Sequence, residues 1–149
     1  MTDIGKRVKS LLSTQTHGVL AVIDRETGIP YAAYVNFACA SHDYPVFLIS
    51  SLSRHVQALS ANPQASLLVA NLPEVGDVLT GERASFLGLC SQVEASVDLE
   101  HAYLASHPYA AGYIGFADFS FWQLVPQLVH TVAGFGMIAT LSAAEVFGL

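Results

Sequence analysis

The sequence predicts a mainly β fold: an antiparallel barrel with helices at its periphery. Three observations lead there. Seven or so stretches are apolar or β-branched over strand length. Most of them are joined by hairpin-sized turns rather than by helices. No glycine-rich turn links a strand to a helix, as a βαβ dinucleotide-binding unit would require. At 149 residues the chain has one-domain length, and neither a repeat nor a composition shift divides residues 1–149.

Taken in order, Ile4, Val8, Leu11 and Leu12 fall on one face of an N-terminal helix behind an Asp3 cap. Residues 17–24 are a strand, and Gly28 ends a hairpin turn where positive φ is available. Strands over 31–41 and 45–50 follow, then a short helix capped by Ser51 or Ser53 and stopped by Asn62-Pro63. Residues 65–70 resume strand. Residues 71–80, with Pro73, Glu74, Gly76 and Asp77, read as a mobile loop. A long strand over 83–94 precedes a helix over 98–106, broken at His107-Pro108. Two closing strands, 119–125 and 128–135, are separated by a turn at Pro126.

Composition narrows the function classes. Hydrophobic residues make up 52% of the chain and charged residues 12%, about half the usual share, with a net charge of -6. So few charges cannot cover an apolar surface, which predicts a homodimer that hides part of it. The six cations are Lys6, Arg7, Lys9, Arg25, Arg54 and Arg83. They form no basic patch, which argues against a nucleic-acid partner. The longest charge-free stretch, residues 119–144, is broken by Gln123, Pro126, His130 and Gly136, so it is not a membrane span. With no leader-like opening, the expectation is a cytoplasmic chain with no membrane partner. Cys39 and Cys90 read as reduced, buried thiols.

Motifs for hydrolysis or metal binding are missing: there is no HExxH, no GxSxG, and no His or Cys pair at ligand spacing. The six histidines are scattered. The informative segment runs from Phe47 through Ser50, Ser51, Ser53 and Arg54 to His55. There a strand enters a helix whose first N–H groups, hydroxyls and lone arginine suit an anion, phosphate above all. An ordinary capped helix with a solvated Arg54 is the equal alternative. The strand over 31–41 has one bulky face, Tyr31, Val35 and Phe37, for a core. Its other face, Ala32, Tyr34, Asn36, Ala38 and Ala40, is small and fits either subunit packing or a flat ligand. Gly134-Phe135-Gly136 offers close approach or a tight bend.

Gly28-x-Pro30-Tyr31, Phe47-x-x-Ser50, Ser53-Arg54-His55 and Asn62-Pro63-x-Ala65-Ser66 occur in an order that resembles the FMN-binding split barrels of the pyridoxamine 5′-phosphate oxidase-like superfamily. His107-Pro108, Gly115-Phe116-x-Asp118-Phe119 and Gly134-Phe135-Gly136 are similar to its heme-utilisation branch. The resemblance spans nearly the whole chain. It implies a homodimer with two FMN sites in the interface. Ser53, Arg54 and His55 would hold the phosphate, Tyr34, Val35 and Asn36 would lie along the isoalloxazine, and Ile49 and Ser50 would lie near the ribityl-phosphate. Ala33 and Ala38 stand where the oxidases carry Arg and Lys, and no cation follows Arg83. Oxidation of pyridoxamine phosphate itself is therefore not expected. The leading expectation is an FMN flavoprotein, an oxidoreductase of unread substrate. Its alternatives are a heme-binding or heme-degrading protein of the same fold and a non-enzymatic barrel for a small ligand. Heme-binding relatives take their iron ligand from a C-terminal tail histidine, and nothing after His130 matches one; Asp118 matches an aspartate beside the heme.

Overall fold

In the computed structural model, which describes residues 2–40, 43–133 and 136–148, the longest ladder joins β6 (Glu82–Val93) to β7 (Phe119–Ala133). Both strands alternate as a half-buried sheet requires: Ala84, Phe86 and Cys90 from β6 and Leu124 and Val129 from β7 face inward. The turn expected at Pro126 is instead a bulge within one continuous strand. Leu87 pairs with Leu128 and Gly88 with Pro126, leaving Gln127 as the extra residue.

Pro126 survives in mid-strand because of what flanks it. The other edge of β7 is shared by two strands, β4 (Pro45–Ser50) on Phe119–Gln123 and β8 (Ile138–Ser142) on Leu128–Val132. Pro126 lies in the gap between them, where its missing N–H forfeits no bond on that edge. Gly88 permits the kink: a Cβ there would stand 2.0 Å from the Val125 carbonyl oxygen. The barrel splits at this point.

The single strand expected over 31–41 also divides. Phe37 is wholly buried and its N–H donates to the Thr16 carbonyl at 2.9 Å. This separates β2 (Pro30–Asn36), paired with β1 (His17–Ile23), from β3 (Ala38–Cys39), paired with β4. With β5 (Gln64–Asn71), the sheet order is β2-β1-β5-β6-β7-β4-β3, with β8 on β7. The fold class is the expected one, antiparallel and mainly β.

Helices close the ends. α1 (Asp3–Thr14) buries Val8, Leu11 and Leu12; its cap is Thr2, whose hydroxyl accepts from Gly5 N, rather than Asp3. α2 (Arg54–Ala61) ends before Pro63, as expected. α3 (Val97–Ser106), capped by Ser96, and a 3-10 turn over Pro108–Gly112 cover a second, smaller core of Leu48, Leu99, Tyr103 and Phe121. A capping box of Ser142 and Glu145 starts α4 (Ala143–Phe147), which, like β8, the sequence reading did not anticipate. The loop over 71–80 is a turn ending in a 3-10 stretch, Val78–Thr80. Gly134 and Phe135 lie outside the described residues. No described helix is long and apolar enough to cross a membrane.

The bulge gives a direct test. Gly88→Ala is expected to destabilise the fold by at least the 1–3 kcal/mol typical of overpacking, about 2 kcal/mol or more, because the opposing atoms are backbone. Urea unfolding checks this; an unchanged midpoint would show that the kink does not need a glycine.

Candidate functional site

The hairpin between β1 and β2 turns on Asp24. Its backbone N–H donates to the Ile29 carbonyl, and Gly28, at φ 70, donates to the Asp24 carbonyl. The Asp24 carboxylate is only 4% exposed, so it needs partners. Oδ2 accepts from the Thr27 N–H at 3.0 Å and the Thr27 hydroxyl at 2.8 Å. Arg54, at the start of α2, supplies the rest: Nε donates to Oδ1 at 2.6 Å and Nη2 to Oδ2 at 3.0 Å. The same guanidinium lies 5.9 Å from the centre of the Tyr31 ring. The Arg54 bonds, then Thr27, hold the Asp24 carboxyl well below its usual 3.8, and Asp24 in turn raises Arg54.

Beside this pair, Ser50 Oγ donates to Asp118 Oδ2 at 2.6 Å and accepts from the Leu52 N–H. The Ser51 N–H donates to the Asp118 carbonyl, which ties the β4–α2 corner to the start of β7. Ser53 is the N-cap of α2, yet its hydroxyl donates back to the Ser50 carbonyl at 2.6 Å and makes no cap bond. His55 Nε2 is 3.4 Å from that hydroxyl, and burial lowers the imidazole below its ordinary value.

The structure therefore gathers Ser50, Ser53, Arg54 and His55 at one corner, but with their polar atoms already engaged. The depression there is about 160 Å³ and is lined by Asp24, Arg25, Glu26, Leu52, Arg54 and Gln57. Its two cations face two carboxylates. Val35 and Ile49 turn their side chains into the main core. Tyr34 is 82% exposed on the opposite face of β2, and Asn36 is half-buried at its end. Asp24 is the residue that sequence reasoning missed. Its signal was the Asp-x-x-Thr-Gly run, in which an aspartate reaches back over its own turn.

Two larger clefts of about 500 Å³ each flank the end of β6 and share Val93 and Glu94. One adds Glu100 and the other Asp98 to apolar walls, and neither lining includes a cation. Such clefts repel anionic ligands. Burial pushes the Cys39 thiol up to about 11 and Cys90 up to about 12, so neither is poised as a nucleophile. No cluster of three or more His, Cys, Asp or Glu suited to a metal ion occurs among the described residues.

The open face of the sheet is different. Pairing sets Tyr34, Val19, Leu68, Ser85, His130 and Thr140 in one row across β2, β1, β5, β6, β7 and β8. The next row is Ala32, Ala21, Ser66, Leu87, Leu128 and Ser142. Their strand neighbours Leu20, Val22, Leu67, Phe86 and Val129 fill the core, so both rows point outward. Neither row holds a charged residue. Leu68 and Leu128 are about two-fifths exposed, an apolar patch of the kind that marks a binding surface.

The Asp24–Arg54 pair carries a pH signature. A carboxyl that titrates lower when folded contributes its stability in full above about pH 4 and loses it as pH falls below that. Asp24→Asn is expected to be less stable than wild type at pH 7 and to lose less on going from pH 5 to pH 3. Urea unfolding at each pH reads this; equal acid losses in both proteins would refute it.

The chain resembles proteins already known. It is 35% identical over 133 residues to the chloroplastic heme oxygenase HOZ of Arabidopsis thaliana, an alignment covering 87% of this chain and 40% of that protein. It is 29% identical over 133 residues to the heme oxygenase HutZ of Vibrio cholerae, covering 85% and 74%. The chain thus spans less than half of the Arabidopsis relative. Among solved structures, a heme binding protein from Mycobacterium smegmatis superposes with a TM-score of 0.91 at 24% identity, covering 99% of this chain and 61% of that one. A putative pyridoxamine 5′-phosphate oxidase from Listeria innocua gives 0.67 at 14% identity, covering 87% and 98%. At these identities the two structures show the fold alone, a split barrel of the pyridoxamine 5′-phosphate oxidase type. The relatives' names favour the heme alternative over the FMN expectation. A model of the family described as the CREG β-barrel matches residues 2–147, and the chain belongs to that family.

Proposed function

We propose that this chain is a heme-binding split-barrel subunit that takes part in oxidative heme breakdown. The observation that carries this reading is the pair of charge-free rows on the outer face of the sheet, with Leu68, Leu87 and Leu128 exposed across three strands as an apolar surface for a planar macrocycle. The names of the Arabidopsis and Vibrio relatives support it. A heme held there would supply iron able to activate dioxygen when electrons are delivered. The chain's own part is to bind and orient: Leu68, Leu87 and Leu128 offer apolar contact, and Tyr34, Ser66 and Ser85 offer hydroxyls.

FMN is the second reading, and the start of α2 favours it, since N–H groups and Arg54 meet there. Heme ranks first because Asp24 already occupies the guanidinium. A phosphate at this corner would have to displace or share a bidentate, charge-assisted pair. Ala33 and Ala38 supply no replacement cation.

We propose further that two copies pair across the open face and enclose the ligand. The charge-free rows give an apolar centre, and Arg7, Lys9 and Glu82 keep their charges in pairs elsewhere.

Titration of the purified chain with hemin and, separately, with FMN tests the first proposal. The expected result is a Soret band that saturates at one hemin per chain and FMN binding at least tenfold weaker. Saturable FMN binding without a Soret band would reverse the order. For the dimer, Leu128→Glu places a charge in the second row and should shift sedimentation from dimer to monomer while leaving the circular dichroism unchanged. A wild-type chain that sediments as a monomer at micromolar concentration would remove that proposal.

A further inference from the structure

His130 is set apart from the other described histidines by its surroundings. His107 is buried, with Nε2 2.7 Å from the Phe37 carbonyl oxygen and Nδ1 2.9 Å from the Tyr109 hydroxyl, so both nitrogens are committed. His55 is half-buried against Ser53 at the α2 corner. His101 is exposed on α3, and its side chain makes no hydrogen bond among the described residues. His17 reaches the margin of that face, where its Nδ1 is 3.4 Å from its own neighbour Thr16.

His130 stands mid-strand in the first outward row, paired with Ser85 on one side and Thr140 on the other. Its Nδ1 lies 2.9 Å from Thr140 Oγ1, across the strand pair. When Nδ1–H donates to that oxygen, Nε2 keeps its lone pair and the ring is oriented by a neighbour. That is how proteins prepare a histidine for a metal, through a partner that fixes tautomer and direction. No described salt bridge involves His130, and the residues beside it on the face are Leu128, Val132 and Ile138, with Arg83 diagonal on β6, its guanidinium donating to the Leu79 and Gly81 carbonyls. An imidazole needs no such apolar setting if water is its only partner. The setting suits a metal carried by a flat apolar ring.

We infer that His130 is an axial ligand, through Nε2, to the iron of a heme lying against the open face, with Thr140 as its positioning residue. This rests on the heme-binding reading above and adds to it the coordinating atom. It also places the iron away from the Arg54 corner, since Ser50 pairs with Phe119 at the other end of β7. Iron coordination here is a donor–acceptor bond from the Nε2 lone pair, with no change in oxidation state.

The experiment uses the full chain loaded with hemin, read by absorption and electron paramagnetic resonance, with circular dichroism as a control on folding. Wild type should show a histidine-ligated ferric spectrum. His130→Ala should shift the Soret band and weaken hemin binding at least tenfold, and added imidazole should restore the wild-type spectrum. His17→Ala should leave band and affinity unchanged. Thr140→Val should retain hemin but shift the heme midpoint potential, a change that loss of packing alone would not give. If wild type binds no hemin, the functional reading fails and His130 falls with it. If wild type binds hemin and His130→Ala keeps both spectrum and affinity, the assignment alone is overturned. Weakened binding that imidazole does not restore would overturn it as well, by showing a packing role.

Discussion

The close approach of Gly88 to Val125 and Pro126 is the constraint on which the molecule depends. The two longest strands could have run flat side by side, offering one edge to one partner. The extra residue at Gln127 bends β7 instead, and its outer edge is divided between β4 and β8. Two cores follow from that division. β4 brings Leu48 to the α3 side, and β8 leads into α4, whose Phe147 packs edge-on against Tyr44. The face turned away from the main core is covered by α3 over Leu48 and Phe121, and its two rows from Tyr34 to Thr140 and from Ala32 to Ser142 form the proposed ligand surface.

Scarcity of charge shapes the rest. With three cations after Lys9, each has a structural use: Arg25 donates to the Gln57 side chain, Arg54 neutralises buried Asp24, and Arg83 folds back to donate to the Leu79 and Gly81 carbonyls. A site for an anion at the α2 corner must compete with a carboxylate that the fold itself supplies. A surface without charges has the opposite property. It is costly to expose, and that cost is relieved by an apolar ligand or by a second copy.

Much of the fold was legible because it rests on local rules. Apolar and β-branched runs located β1, β4, β5 and β6 to within a residue or two, and Asn62-Pro63 and His107-Pro108 ended α2 and α3 where helices must end. The failures share a cause. Pro126 reads as a turn because a proline removes a ladder donor, and only the positions of β4 and β8 show that this edge needs none there. Phe37 reads as mid-strand because its parity is right; only its bond to Thr16 reveals the break. β8 and α4 are too short for periodicity to register.

The same division holds for the site. By itself the sequence determined the antiparallel barrel class, the scarcity of charge, and an arginine at a helix start behind serines. These are properties of composition and of neighbours along the chain. Whether Arg54 was free for a ligand was decided only by tertiary structure, because its partner is thirty positions away in another turn. So was the placement of His130, which in the sequence is one of six scattered histidines. Strand pairing places it between Ser85 and Thr140 in a charge-free row, and pairing register is set by long-range contacts that no local pattern encodes.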